Sequence, residues 1–409
     1  MEEFPDENEK LVSNLSGDIV QINDALYLKI SDKISDYASI WDKENQKGIL
    51  NSYNYLSALE RSYPEGLKSY YCILYQKESP LGLFLFQVKD FDLSKSLNVH
   101  THDENFLAKI WVALKNAAIS RIRHHLLIVG NILLTGQYGI NFCSKLSIEK
   151  KLEYLNLSVE AFADYMNKYK GYRLKSILLK DFEEGEDSNV LLPDYMNFTI
   201  DPFMYIDIRW DSMEDYLSEL KSKYRVRYKR ALKKGSALDF QEMELSELQE
   251  NKTVMYGLYK QISENVSFNL FDLNEEYFVQ LKEQLGDNII IKSVTKDGKI
   301  IAFYSLIRDD DHNELDAHFL GYDMSQNHDN QTYLNILFSI LEESINQKVK
   351  KVNLSRTAME IKSSVGAVDK TLFLLVKHRN NLVNWLLRKF LDSYVPDNSW
   401  LPRKPFKGN

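Results

Sequence analysis

The sequence predicts a mixed α/β protein of two successive domains, and three observations carry that expectation. With 409 residues, the chain exceeds what one hydrophobic core ordinarily serves. Its 44% apolar and 27% charged residues are the balance of a folded chain, not a disordered one. The order of elements also recurs: strand, helices, a strand hairpin, another strand, a helix and further strands, once in each half. A hairpin followed by a β–α–β crossover rules out a simple doubly wound parallel sheet and calls for mixed sheets.

In the first half, alternation and turn residues predict a strand over 26–30, helices over 36–45 and 52–62, and strands over 70–76 and 81–88. The turn at Pro80 and Gly82 makes the last two a hairpin. A helical insertion over 106–124 follows, then a strand over 126–134, a helix over 150–168, and strands over 174–179 and 204–208. In the second half a connecting helix over 213–234 precedes a strand near 238–243 and helices over 255–266 and 275–285. Strands are expected over 289–295, 300–307 and 315–322, a helix over 332–347, a strand over 351–355 and a short helix over 358–364. A strand over 372–377 and a helix over 382–394 close the series. Tyr333, Ile336, Leu337, Ile340, Leu341 and Ile345 give helix 332–347 a 3.6-period apolar stripe. The expected division is a polar start (1–20), a first domain (21–210), a basic connecting helix (211–235), a more complete second domain (236–380), and a helix with a basic tail (381–409).

Composition removes several classes of function. The net charge of −8 argues against a general polyanion or DNA binder. Two cysteines, Cys72 and Cys143, stand far apart in no ligand spacing, which excludes a disulfide framework and a thiolate zinc site. No metal is expected from the eight histidines either, since His124–His125 is a lone adjacent pair. The acidic start MEEFPDENEK is no secretory leader, and no apolar run approaches the ~20 residues of a membrane span, so a cytoplasmic location is expected. Nucleophile elbow, zinc-protease, P-loop and dinucleotide motifs are absent from the sequence.

The sharpest local signal is cationic. Lys221, Lys223, Arg225, Arg227, Lys229, Arg230, Lys233 and Lys234 crowd one helix, flanking a stripe of Leu217, Leu220, Tyr224, Tyr228 and Ala231. Without interleaved acids such a helix repels itself, which asks for an anionic partner: CoA phosphates, a tRNA backbone or a lipid headgroup. Arg225, Arg227 and Arg230 suit phosphate through the guanidinium fork. Further on, Ser355-Arg356-Thr357 ends a strand and opens a helix, with Thr357 as the expected N-cap and Gly366 as its stop. Arg356 and Lys362 can bind a carboxylate or phosphate there. The terminal helix, with Leu386, Leu387 and Phe390 beside Trp385, Arg388 and Lys389, suits either its own domain or peripheral contact with an anionic membrane.

Several stretches resemble the FemABX-type tandem GNAT (N-acetyltransferase fold) transferases of bacteria and their peptidoglycan-biosynthesis relatives. These are YNYLSALERSYPEG (53–66), SELKSKYRVRYKRALKKG (218–235), HFLGYD (318–323), the Tyr333 to Phe338 helix start and LSRTAMEIKSSVGA (354–367). The resemblance implies two GNAT-like domains and transfer of an acyl group from acyl-CoA or a carrier-protein thioester to an amine, without a tightly bound cofactor. Aminoacyl transfer from tRNA to a cell-wall or lipid amine is the alternative, as is a GNAT-fold binding protein without catalysis. In such a fold, strand 315–322 lies beside the reacting carbonyl. Its alternation puts Asp316, His318 and Leu320 on one face, with His318 as proton acceptor and Asp316 behind it. Tyr322 and Tyr333 are candidate general acids toward the leaving group, and Ser355 joins the binding residues. One departure is clear: residues 324–332, where CoA-using members carry a glycine-rich pyrophosphate loop, contain no glycine. Gly130, Gly136 and Gly139 lie in the matching loop of the first half, where ordinary turns are the commoner use of glycine.

Overall fold

The computed structural model describes residues 17–91, 124–143, 145–183, 192–199, 201–265, 271–393 and 400–408. The first half contains β1 (Asp18–Gln21), β2 (Leu26–Ser31), α1 (Ala38–Glu44), α2 (Tyr53–Arg61), β3 (Leu67–Gln76), β4 (Ser79–Phe91), β5 (His124–Val129), β6 (Ile140–Phe142), α3 (Ile148–Tyr169), β7 (Leu174–Glu183) and β8 (Met196–Thr199). Then come β9 (Phe203–Asp207), α4 (Met213–Glu219), α5 (Ser222–Lys234), β10 (Asp239–Glu242), α6 (Leu245–Ser263), α7 (Tyr277–Leu285), β11 (Ile289–Lys296), β12 (Lys299–Asp309) and β13 (Glu314–Tyr322). The chain continues through α8 (Met324–Asn330), α9 (Thr332–Asn346), β14 (Lys351–Asn353), α10 (Met359–Ser364), β15 (Val368–Lys370), β16 (Leu372–His378) and α11 (Asn381–Ser393). The expected helix over 106–124 falls outside the described residues, except that His124 begins β5.

Two mixed sheets result, as expected. One runs β1-β2-β3-β4-β5-β7-β16-β8 with β6 also on β4, and the other runs β10-β11-β12-β13-β14-β9-β15. Each contains one parallel pair, β5 with β7 and β13 with β14, the strands joined through a crossover helix. Helix α3 is held by a stripe of Leu152, Leu155, Val159, Phe162, Ala163 and Met166, and Ser147 caps its first turn by accepting from Lys150 N.

The sheets do not part where the sequence divides. Strand β9, which ends the expected first domain, pairs with β14 and β15 in the second sheet. Strand β16, which ends the expected second domain, inserts between β7 and β8 in the first. Periodicity reveals that a strand exists, but not which sheet edge it completes. The connecting helix also differs from expectation, breaking into α4 and α5. Leu220 takes extended backbone to bridge Phe406, and Lys221 N donates to Pro405 O, so the tail 400–408 is built into the break.

An apolar cluster crosses between the halves. It joins Tyr55, Leu56 and Leu59 of α2 to Tyr277 and Phe278 of α7 and to Phe303 and Ile307 of β12. Each such side chain contributes about 1.5–3 kcal/mol when fully buried, so the halves form one packed unit.

Candidate active site

Strands β13 and β14 pair over three positions only, ending at Asp316 opposite Asn353. Beyond that point, among the described residues, no strand pairs with 317–322 on that side, while Leu354 and Ser355 continue along Met204 of β9. The sheet therefore opens, and β13 borders the gap with backbone that no strand among the described residues pairs.

A bulge re-aims the side chains at this opening. Tyr304 stands opposite Leu320 and Leu306 opposite Ala317, so Ser305 alone faces both His318 and Phe319. Ser305 Oγ satisfies the bulge by donating to Phe319 O at 3.0 Å and accepting from Phe319 N at 3.1 Å. His318 and Phe319 consequently share the face packed toward the first half, whereas Leu320 and Tyr322 turn to the α9 side. The expectation that Leu320 lies with His318 is thus corrected: strict alternation fails at an inserted residue.

His318 is buried, and its Nε2 lies 2.6 Å from Tyr277 Oη, which in turn lies 3.1 Å from Tyr55 Oη of the first half. Burial pushes the imidazole down to about 3, so it is neutral near pH 7. No hydrogen bond joins it to Asp316, and the expected orienting contact is replaced by Tyr277. Asp316 is half-buried, and its carboxyl is pushed up to about 7. Desolvation is the main cause, repulsion from Glu314 and Asp309 adds to it, and the Asn353 amide opposes it.

The two sheet openings meet. In the first half, parallel pairing ends at Val129 opposite Leu179, immediately before Lys180 and Asp181. Asp181, fully buried, pairs with Lys180 and with Arg356, and accepts Gly136 N at 2.8 Å. Thr135 Oγ1 lies 3.0 Å from Ser355 Oγ, Lys180 Nζ donates to Leu134 O at 2.5 Å, and Lys362 Nζ donates to Arg356 O at 2.5 Å. Burial lowers the Lys362 ammonium to about 7. Two cations, Lys180 and Arg356, thus meet one carboxylate, with Lys362 on the Arg356 carbonyl beside them, a surplus that invites an anionic group. Ser355, Thr357 and Ala358 all hold left-handed φ, of +60°, +67° and +49°. Thr357 therefore does not cap α10: Ala358 occupies that position, without a side-chain cap, and the strain is concentrated at the mouth.

The remaining sequence candidates lie on the other face. Tyr322 and Tyr333 pack ring to ring at 5.8 Å beside α9, away from His318. Helix α5 also seats there, through Tyr224, Ala231 and the edge-on contact of Tyr228 with Phe338 at 4.7 Å. Arg225 folds back onto Leu220 O and Ser222 Oγ, Arg227 is half-buried, and Arg230 is exposed. No carboxylate pairs with any of the three among the described residues. The C-terminal end of α5 meets the start of α9, where Asn335 Nδ2 donates to Ala231 O, Asn330 O and Gln331 O. Thr332 Oγ1 and Gln331 Oε1 are buried at that turn without a hydrogen-bond partner. The stretch 324–330, expected as a loop, is helical, with Asp323 capping it through Ser325 N.

In the first half the glycine loop closes on itself, as turn chemistry suggests. Gly130 N donates to Leu85 O and Leu85 N to Gly139 O, and a Cβ on Gly139 would lie 3.0 Å from Gly130 Cα. Beside it a cavity of about 320 Å³ is lined by Lys47, Gln137, Asn141, Lys151 and Phe182 among others. Sequence reading missed Tyr55, Tyr277, Lys180 and Asp181. Only the last pair left a signal, since it follows the first-half strand as Ser355-Arg356 follows the second.

Against solved structures, the chain matches FemX over 87% of its own length and 98% of that chain, with 10% identity and a TM-score of 0.53. The fold is that of FemX. A tandem GNAT protein from the clavulanic acid biosynthesis pathway matches over 86% and 99%, at 7% identity and a TM-score of 0.48. L-PGS from Bacillus licheniformis matches over 86% and 100%, at 12% and 0.44. No family model matches the sequence, and no curated protein matches it significantly.

Proposed function

We propose that the protein is an N-acyltransferase working by direct transfer, with the acyl carbonyl lying along the open edge of β13. The observation that carries this reading is Asp316, a carboxyl titrating near 7 at the point where β13 and β14 part. A base poised near the working pH is what amine deprotonation needs. The roles assigned from sequence are then redistributed. Asp316 takes the amine proton as the C–N bond forms and returns it to the thiolate that departs as the donor C–S bond breaks, while neutral His318, held by Tyr277, positions the bulge. Backbone N–H groups of β13 polarise the carbonyl. Arg356 and Lys362 bind an anionic group of donor or acceptor. Donor phosphates fit the turn between α8 and α9, flanked by Arg230 and Lys234. The first-half cavity offers room for the non-reacting part of a substrate.

A second reading, aminoacyl transfer from tRNA, is favoured by one feature. The unpaired cations of α5 continue into Lys404 and Lys407 of the docked tail, a strip longer than one pyrophosphate requires. Incubation with acyl-CoAs, carrier-protein thioesters and charged tRNAs, scored by product formation and thermal protection, separates the readings. Failure of every donor to bind removes both.

A further inference from the structure

Helix α11 turns several apolar side chains away from the protein. Two of its polar residues hold it to the protein: Asn384 accepts His378 N at 2.8 Å and donates to Asp194 O at 2.9 Å, and Arg388 donates to Pro193 O at 2.9 Å. Four apolar side chains of its first half face outward, with Leu382 67%, Trp385 55%, Leu386 53% and Val383 37% exposed, while Leu387 is half-buried. Leu382, Trp385, Leu386 and Lys389 follow at spacings of three and four, which places them on one face of the helix. An exposed Trp and three exposed aliphatic side chains on one helix form an apolar patch that marks an interaction site.

The surrounding charge identifies what such a face fits. Lys377 and Arg379 are neutralised by Glu160, Asp164 and Asp194. Arg173, Lys175 and Lys389 are exposed and pair with no carboxylate among the described residues. Lys175 lies at the start of the helix, its carbonyl accepting Arg379 N at 2.8 Å, and Lys389 lies near the other end. A Trp-bearing apolar ridge with unpaired cations at both ends has the composition of a helix that lies in a bilayer interface. No helix among the described residues is long and apolar enough to span a membrane, so the contact is peripheral. We infer that α11 docks the protein on anionic lipid surfaces, an inference that does not rest on the transfer reaction.

The test is co-sedimentation of the full chain with vesicles of neutral phosphatidylcholine, or of the same lipid with roughly 30% phosphatidylglycerol, enough to give the surface a negative potential. The wild type should pellet with the anionic vesicles, less so as salt rises. Trp385→Ser/Leu386→Ser should lower the partition coefficient by about tenfold or more at unchanged thermal midpoint, because both side chains are already exposed. Lys389→Glu should weaken binding to anionic vesicles only. The inference is overturned if the wild type stays in solution with both lipids, or if the double variant pellets as well as the wild type. It is equally overturned if sedimentation velocity without lipid shows a dimer that the double variant dissolves, since the face is then a contact between copies.

Discussion

Replacing Asp316 with asparagine should make the protein more stable and less active at once. A carboxyl moved from 3.8 to about 7 by the fold is held there at a cost. The free-energy equivalent is roughly 4 kcal/mol, an order-of-magnitude value. The sign follows from which form the fold prefers. The protonated acid is favoured in the folded state, so the associated stability is complete below about pH 4 and is lost as pH climbs through 7. Above 7 the folded protein carries the full penalty of an ionised, crowded carboxylate. The amide of Asp316→Asn keeps the size and removes the charge. Urea unfolding at pH 8 should therefore show the variant more stable by up to roughly 4 kcal/mol, with the difference vanishing toward pH 4. Transfer activity should fall by about 10²–10⁴-fold, and the rise of kcat/KM through pH 7 expected of the wild type should be missing from the variant. A variant that is no more stable at pH 8 and keeps its activity and pH profile would refute both the burial argument and the assignment of the base.

Three further outcomes follow from other parts of the molecule. His318→Gln should keep transfer at pH 8 within about tenfold, because a neutral imidazole is not the base. The same change should flatten the acid arm of the stability curve: burial holds His318 near 3, so its stabilising contribution is present above 6.5 and lost as pH falls toward 3, by up to roughly 5 kcal/mol in urea titrations. Gly321→Ala should destabilise by about 1–3 kcal/mol in thermal unfolding, since the new Cβ would lie 2.5 Å from Tyr259 N and 2.6 Å from Leu258 C, backbone of α6 that cannot step aside. Replacing Arg225, Arg227 and Arg230 together with Gln should lower the slope of log K against log salt for a polyanionic donor by about 2, and an unchanged slope would place the phosphates elsewhere.

Much of this fold was legible as local pattern. The stripe of α9, the hairpin of β3 with β4, and the ladder of β11 to β13 all follow from periods that individual segments carry. Partner choice was not legible. Nothing in residues 203–207 distinguishes an edge for the first sheet from a seat beside Val352 in the second, because both demand the same alternation. The site was readable in kind but not in role. Asp316 and His318 stood out by residue type and strand position, yet their titration depends on burial by distant elements and, for Asp316, on Glu314 of its own strand and Asp309 of the neighbouring one. A single inserted residue opposite Ser305 reversed the facing of everything after it. The cationic helix was evident from composition. That it lies across the sheet from Asp316 depends on which flank of α9 receives Tyr228, a matter of packing shape.

The exchange of β9 and β16 has a consequence for how the protein comes off the ribosome. Strand β7 emerges about two hundred residues before the partner that will cover Leu178 and Leu179, so its hydrogen-bonding edge waits, unprotected, through most of synthesis. A fragment stopped near residue 235 should accordingly be prone to edge-to-edge association, and the two halves are not modules that can be expressed, shuffled or evolved apart.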